Sequence, residues 1–285
     1  MIAKKEYGEY EFKNRKSTYG VKNINNRTFF FKKIKNLEIE TEGFNKVNQI
    51  YKIPKIIYCD ENEILYEYKK CLKEKTIHEY LYNKKYLRIN YKKIFKQYEK
   101  SIKLLVIKNE STYRNSDFFL KRVNTLERYL TFPEFHQIHL FENKEYCIKE
   151  IISETKAVLE KNKKLKGILT LGDPTDTNIS ATGVFTDFEC AGYNSVLGEI
   201  AIFFISLTTH GSYFYPKYNA GAYVQRTNIL YDYSKNKQDI VYFDDADDRC
   251  ILLPKFTILE KNKKVLLKFL KFYNKHFKND LELEK

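Results

Sequence analysis

Three residues past the middle of the chain, Asp173, Asn178 and Asp187, have the types and the spacing to move a phosphoryl group. They lie in Leu169-Thr-Leu-Gly-Asp173-Pro-Thr-Asp176-Thr-Asn178-Ile-Ser-Ala-Thr-Gly183-Val-Phe-Thr-Asp187-Phe188, where two short apolar runs flank a polar loop. A carboxylate, an amide five residues on and a second carboxylate nine residues further converge if the chain runs loop, strand, tight turn, strand. One acid would then orient a hydroxyl, while the amide and the second acid hold magnesium. A D-x-x-x-x-N pattern alone has little specificity; the strand context and the trailing Asp187-Phe188 give it weight.

Such chemistry also needs a cation to grip phosphates. The run Thr28 to Ile34 reads as a strand, and two-fold alternation puts Phe30, Lys32 and Ile34 on one face. Lys33 is then the solvated neighbour, and a register slip of one would exchange the two lysines. A lysine on an apolar face needs an anionic partner, because an unpaired buried ammonium is costly. The next segment, Leu37 to Tyr51, reads as a helix with Phe44, Val47 and Tyr51 on one face and Glu40 four residues before Phe44. Glu42, on another face beside Gln49, is the second candidate. A strand lysine paired with a helix glutamate clamps nucleotide phosphates in kinase-like lobes; the alternative is two surface charges in a charge-rich chain.

The elements that would position these groups follow from punctuation and periodicity. Residues 7–35 read as an antiparallel meander of three strands, with turns at Ser17-Thr18-Tyr19-Gly20 and Asn25-Asn26-Arg27. Pro54 stops the helix. Lys55 to Cys59 and Ile64 to Tyr68 then read as two strands, after which the chain hands over to a helical region. From Tyr91 to Leu165 the pattern is mostly helical: Ile94, Tyr98, Ile102 and Leu105 form one stripe, Phe119, Val123, Leu126 and Leu130 a second, and Ile148, Ile151, Ile152, Thr155 and Leu159 a third. Gly192 to Gly198 reads as a loop, Glu199 to Thr208 as a buried helix, and Leu259 to Phe277 as an amphipathic helix whose apolar face packs on the core.

The 285 residues suffice for one large domain or for two lobes around a shared cleft. A formal net charge of +14 raises nucleic acid or a membrane surface as partners, but the basic residues are spread along the whole chain, so a nucleic-acid function is disfavoured. Five cysteines without a C-x-x-C pair point to reduced thiols and a cytoplasmic location. No signal-like apolar run opens the chain, and its longest apolar stretch, Ile200 to Leu207, is too short to cross a bilayer. The acidic cluster at 244–248 is a solvated loop or a site for a cationic substrate group.

Taken in order, Lys32, Glu40, Ile53-Pro54-Lys55, Gly172-Asp173-Pro-Thr-Asp-Thr-Asn178-Ile179, Asp187-Phe188-Glu189 and Gly198-Glu199-Ile200-Ala201 resemble the aminoglycoside phosphotransferase family. The resemblance spans roughly residues 10–210 and is sharp between 169 and 203. It implies an α+β, two-lobed protein-kinase-like fold. An antiparallel sheet with one helix would occupy residues 1–70, and a mainly α-helical catalytic and substrate lobe residues 71–285. It implies ATP with Mg2+ in the cleft, GTP being the alternative nucleotide, and a small hydroxylated acceptor: an aminoglycoside or other antibiotic, a sugar or an amino alcohol. Asp173 would take or orient the hydroxyl proton, and Asn178 and Asp187 would ligate magnesium. Lys32, oriented by Glu40, would hold the α- and β-phosphates; Ser17 and Thr18 would lie over the phosphates, and the backbone of Glu67, Tyr68 and Lys69 would meet the base. Three positions depart from the family pattern. Leu171 stands where the family has histidine, Glu199 where it commonly has aspartate, and the 17–20 segment has a single glycine. These departures motivate a second reading, a weak or inactive kinase-like nucleotide-binding protein.

Overall fold

The computed structural model describes residues 10–13, 17–34, 37–67, 76–82, 88–127, 138–141, 144–160, 163–208, 239–244, 249–254 and 260–278. The first sheet grows from local hairpins. Strands β1 (Tyr10–Lys13), β2 (Ser17–Ile24) and β3 (Arg27–Ile34) run antiparallel, and Asn25 and Asn26, at φ 49° and 61°, make the tight β2–β3 turn. Asparagine suits this left-handed turn because its short polar side chain bonds locally. With β4 (Ile56–Cys59) and β5 (Ile64–Glu67) the sheet has the order β1-β2-β3-β5-β4. The β4–β5 turn is fixed by Asp60, whose Oδ1 accepts from the backbone N–H groups of Asn62 and Glu63 at 2.7 and 2.8 Å.

Ser17 to Gly20 is strand and not turn. Ser17 pairs with Ile34, and Thr18 lies between Lys13 on β1 and Lys33 on β3. Thr18 and Tyr19 are strand formers, and turning here would forfeit ladder bonds on both sides. Residues 14–16, between β1 and β2, lie outside the described residues.

Helix α1 (Leu37–Val47) buries Leu37, Glu40, Gly43 and Val47. A β-carbon at Gly43 would collide with the carbonyl oxygen of Phe188, so glycine lets the helix touch the segment that carries Asp187. There follow α2 (Ile77–Tyr82), α3 (Tyr91–Ile102), β6 (Val106–Asn109), α4 (Arg114–Leu126), β7 (Ile138–Phe141), β8 (Lys144–Cys147), α5 (Ile148–Glu160), β9 (Lys164–Thr170), β10 (Gly192–Ser195), α6 (Val196–Thr208), β11 (Asp239–Asp244), β12 (Arg249–Pro254) and α7 (Glu260–Phe277). The 91–165 stretch is therefore less helical than its periodicity suggests, since β6, β7 and β8 interrupt it. Gly192–Ser195, expected as loop, pairs antiparallel with β9, Gly192 opposite Thr170. Four-residue strands are too short to display a two-fold period, so their pairing is tertiary information.

β10, β9 and β6 form a three-stranded sheet in that order; β11, β12, β7 and β8 form another. One apolar core runs from Leu37, Val47 and Tyr66 through Phe185 and Phe188 to Phe203 and Phe269. The sheet-and-α1 lobe and the larger, helix-rich lobe thus share a continuous interior. α7 supplies Val265, Leu266, Phe269, Phe272, Tyr273 and Phe277, with the Phe269 ring stacked on Phe203 at 3.8 Å and Phe272 on Phe95 at 4.5 Å. Its apolar stripe is a packing face. A smaller cluster of Val123, Ile152 and Leu159 joins α4 to α5, while Leu126 and Ile151, expected in the same stripes, are exposed. The architecture is α+β and two-lobed. Among the described residues, no helix is long and apolar enough to cross a membrane.

Candidate active site

β3 buries Lys32 together with its neighbour Phe31 and leaves Lys33 exposed. A buried ammonium must be compensated, and three carboxylates gather round it. Lys32 Nζ donates to Glu40 Oε2 at 2.9 Å and to Asp187 Oδ1 at 2.7 Å, with Glu189 Oε1 at 3.5 Å. Burial opposes the charge on Lys32, but Asp187, Glu40 and Glu189 outweigh it and hold its pKa above the ordinary lysine value. Glu40 on α1 is 1% exposed and fully engaged. Its Oε1 accepts from the Tyr66 hydroxyl at 2.9 Å, and its Oε2 also accepts from Phe188 N–H at 3.2 Å. Glu42, the second candidate, pairs instead with exposed Lys46.

β9 delivers the loop that carries the other groups. Gly172 has φ 72°, and a β-carbon there would strike the Cys190 carbonyl, so the chain can turn after Leu171 only as glycine. The loop then closes on itself: Thr175 N–H donates to Asp173 O, Asn178 N–H to Thr175 O, and Asn178 Nδ2 to Asp173 O at 3.0 Å and Asp173 Oδ2 at 3.4 Å. A tight hairpin follows, bridged at Ile179 and Phe185, and Thr186 N–H donates to Asn178 O at 3.0 Å. That bond sets Asp187 beside Asn178. Asp187 itself has φ 70°, a conformation that costs a non-glycine residue and persists where surroundings impose it, commonly at functional sites. Here the Phe188 N–H bond to Glu40 and the edge-on packing of Phe188 against Phe44 at 5.4 Å impose it.

The electrostatics are lopsided toward negative charge. Burial and then the neighbouring Asp187 push Asp173 up to about 7, with Arg122 acting against them. Carboxylate oxygens of Glu40, Asp187 and Glu189 lie within 4.8 Å of one another. Since Glu40 is saturated by Lys32, Tyr66 and Phe188, the oxygens that could hold a cation are those of the part-exposed Asp187 and Glu189, with Asn178 beside them. A hard oxygen set of this kind, short of positive charge, fits magnesium.

Behind the loop lies a buried polar frame that sequence reading largely missed. Glu199, 0% exposed, accepts from Thr170 Oγ1 at 2.7 Å and Tyr98 OH at 3.1 Å, and Thr170 Oγ1 in turn accepts from the backbone N–H of Gly172 at 3.2 Å. The extra methylene relative to aspartate leaves the loop bonded at Thr170. Burial, opposed by the Thr170 and Tyr98 hydrogen bonds, raises Glu199 to about 7. Asn194 Nδ2 donates to Thr170 Oγ1 and to Gly192 O, both at 3.0 Å, and its Oδ1 accepts from Asn115 N–H at 2.7 Å. Ser101 Oγ donates to Leu169 O. Leu171 is fully buried in the core. Asp176, inside the loop, bonds His78 and Ser206. A signal was present for Asp176, a second acid within the D-x-x-D-x-N run; Thr170, Tyr98 and Asn194 carried none.

Ser17 and Thr18 lie across from Ile34 and Lys33, just past Lys32 on β3, as part of a strand. Glu67 closes β5 opposite Phe29, its N–H bonded to Lys55 O at 2.8 Å. Tyr68, Lys69 and most of the 244–248 cluster lie outside the described residues.

No protein-family model matches the chain, and no curated protein matches it. Among solved structures it is similar to a streptomycin–ATP–APH(2")-IIa ternary complex, at 14% identity and TM-score 0.42 over 68% of this chain and 69% of that one. It is likewise similar to a gentamicin–APH(2")-IIa complex, at 13% identity and TM-score 0.43 over 96% and 82%. Both are structures of an aminoglycoside phosphotransferase, the family that the motifs resemble. At these values the site must be read from its own residues.

Proposed function

We propose that the protein is a phosphotransferase that moves the γ-phosphoryl group of a magnesium nucleotide, with ATP favoured over GTP, to a hydroxyl of a small molecule. One observation carries the reading: the Lys32–Glu40 pair, Asp187 in its left-handed conformation and the Asp173–Asn178 loop meet at one place, although Lys32 and Asp187 are 155 residues apart. Asp173 accepts the acceptor's hydroxyl proton as that oxygen bonds to the γ-phosphorus and the bond to the departing nucleoside diphosphate oxygen breaks. Lys32, kept charged and aimed by Glu40, binds the nucleotide phosphates. Asn178 and Asp187, with Glu189 at hand, would hold magnesium, which supplies neutralisation of phosphate charge. Backbone from Glu67 onward meets the base, and Ser17 and Thr18 flank the phosphate side of the sheet. Most of the rate then comes from positioning and charge placement.

The loop remains bonded to Glu199, which favours catalysis over the inactive binding-protein reading. The net charge of +14 would repel a polycation, which favours an acceptor that is neutral or carries modest positive charge. The test is nucleotide consumption by pure protein against aminoglycosides, sugars and amino alcohols, with Asp173→Asn as control. Nucleotide binding without turnover on the whole panel would return the reading to a binding protein.

A further inference from the structure

The acid between Asp173 and Asn178 is held more firmly than either. Every polar group of Asp176 is engaged. Its N–H donates to Ser206 Oγ at 2.9 Å, and its carbonyl accepts from His78 N–H at 2.9 Å. Oδ1 accepts from Ser206 Oγ at 2.9 Å, and Oδ2 lies 2.7 Å from His78 Nδ1. All three residues are buried, at 5%, 6% and 7% exposure for Asp176, His78 and Ser206. A serine, a histidine and an aspartate invite a hydrolytic reading, but here the serine bonds the carboxylate and not the imidazole, so no activated nucleophile is built. A carboxylate can only accept, so Nδ1 carries the proton. The bonds run from α2, the first helix described after the crossing between lobes, through the loop to α6. On either side of this anchor sit Asp173, three residues before, and Asn178, two after, whose own side chains share a single long contact of 3.4 Å.

We infer that His78 is a positioning residue: its Nδ1–H, with Ser206 on the opposite side, pins the loop at Asp176 and so sets the separation of the proton acceptor Asp173 from the cation ligand Asn178. The inference rests on the phosphotransferase reading for its consequence in turnover, but not for the pinning itself. Displacement of a reacting group by an ångström can cost about 100-fold in rate, so loosening this anchor lowers kcat while phosphates still bind through Lys32.

Isosteres give the test. Asparagine places an amide N–H where Nδ1 stands, whereas glutamine places it near Nε2, out of reach of Asp176. In full-length protein, His78→Gln should lower kcat by about 10- to 100-fold with the nucleotide KM within about threefold of wild type, and His78→Asn should recover most of it. Hydrogen exchange of the 174–178 backbone should quicken by about 10- to 100-fold in His78→Gln and stay near wild type in His78→Asn. Ser206→Ala, which leaves α2 untouched, should show the same pattern more weakly and serves if His78→Gln does not fold. Equal exchange and equal kcat in His78→Gln, or an asparagine variant as impaired as the glutamine one, would overturn the pinning. If wild type turns over no acceptor yet the exchange pattern holds, the function fails and the pinning stands.

Discussion

The two sides of the 170–178 loop are built on opposite terms. Its cleft side presents Asp173, Asn178 and Asp187 with fewer contacts: 3.4 Å between the Asp173 and Asn178 side chains, and an Asp187 side chain that is 38% exposed and held by Lys32 at 2.7 Å. Its back side is dry and saturated, with Thr170, Glu199, Asn194, Asn115 and Asp176 exchanging short bonds in which donors meet acceptors throughout. On the cleft side, burial and then repulsion from Asp187 raise Asp173 to about 7. That strain can persist only because the back side over-determines the backbone. Groups meant to meet a substrate stay under-bonded, and the frame behind them does not.

Substitutions on the cleft side should therefore remove activity and spare stability. Asp173→Asn has the largest expected effect, a loss of about 10²- to 10⁴-fold in kcat, because the proton acceptor is gone while its neutral isostere relieves repulsion with Asp187. Turnover measured beside thermal unfolding checks both halves, and a fall in melting temperature would break the comparison. Asp187→Asn comes next. With one cation ligand weakened, nucleotide turnover should fall by about 100-fold and be partly restored by raising magnesium, which a magnesium titration reads directly.

On the back side the signs reverse. Asn194→Ala strips partners from Thr170 Oγ1, Gly192 O and Asn115 N–H in a fully buried place, and should destabilise by about 2–4 kcal/mol. Activity per folded molecule should fall less than in Asp173→Asn. Chemical denaturation with a folded-fraction correction separates the two, and a stable but inactive Asn194→Ala would move this residue to the cleft side of the comparison.

The division also explains what could be read in advance. Lys32 and Glu40 were legible because a cation on an apolar strand face and an acid on an apolar helix face are each anomalies that demand a partner. Asp173, Asn178 and Asp187 were legible because a short loop and hairpin keep them close in sequence. The frame was not. Thr170, Tyr98 and Asn194 are ordinary residues whose importance arises from neighbours 24 to 101 positions away and, for Asn194, from a strand four residues long. Ser17–Gly20 misled for the converse reason: one glycine looked like a turn, while pairing to β1 and β3 made it strand.

The smallest expected effect concerns Glu199, the one ionisable acid of the frame that faces the loop from α6. Its pKa in the folded protein is about 7, against 4.5 for an exposed glutamate, chiefly because burial disfavours the charge. The folded state thus holds this proton more tightly than the unfolded state does. The stability it brings is complete below pH 4.5, declines as pH rises between 4.5 and about 7, and is lost above that. At 1.36 kcal/mol per pH unit the decline amounts to about 3 kcal/mol. Glu199→Gln cannot titrate; its one oxygen can accept from the Thr170 hydroxyl while its amide N–H donates to the Tyr98 hydroxyl. The difference in unfolding free energy, wild type minus Glu199→Gln, should therefore fall by about that amount between pH 5 and pH 8. Denaturant melts at several pH values measure it. A flat difference would mean that Glu199 is already ionised at pH 5, and that charge is tolerated behind the loop as it is in front.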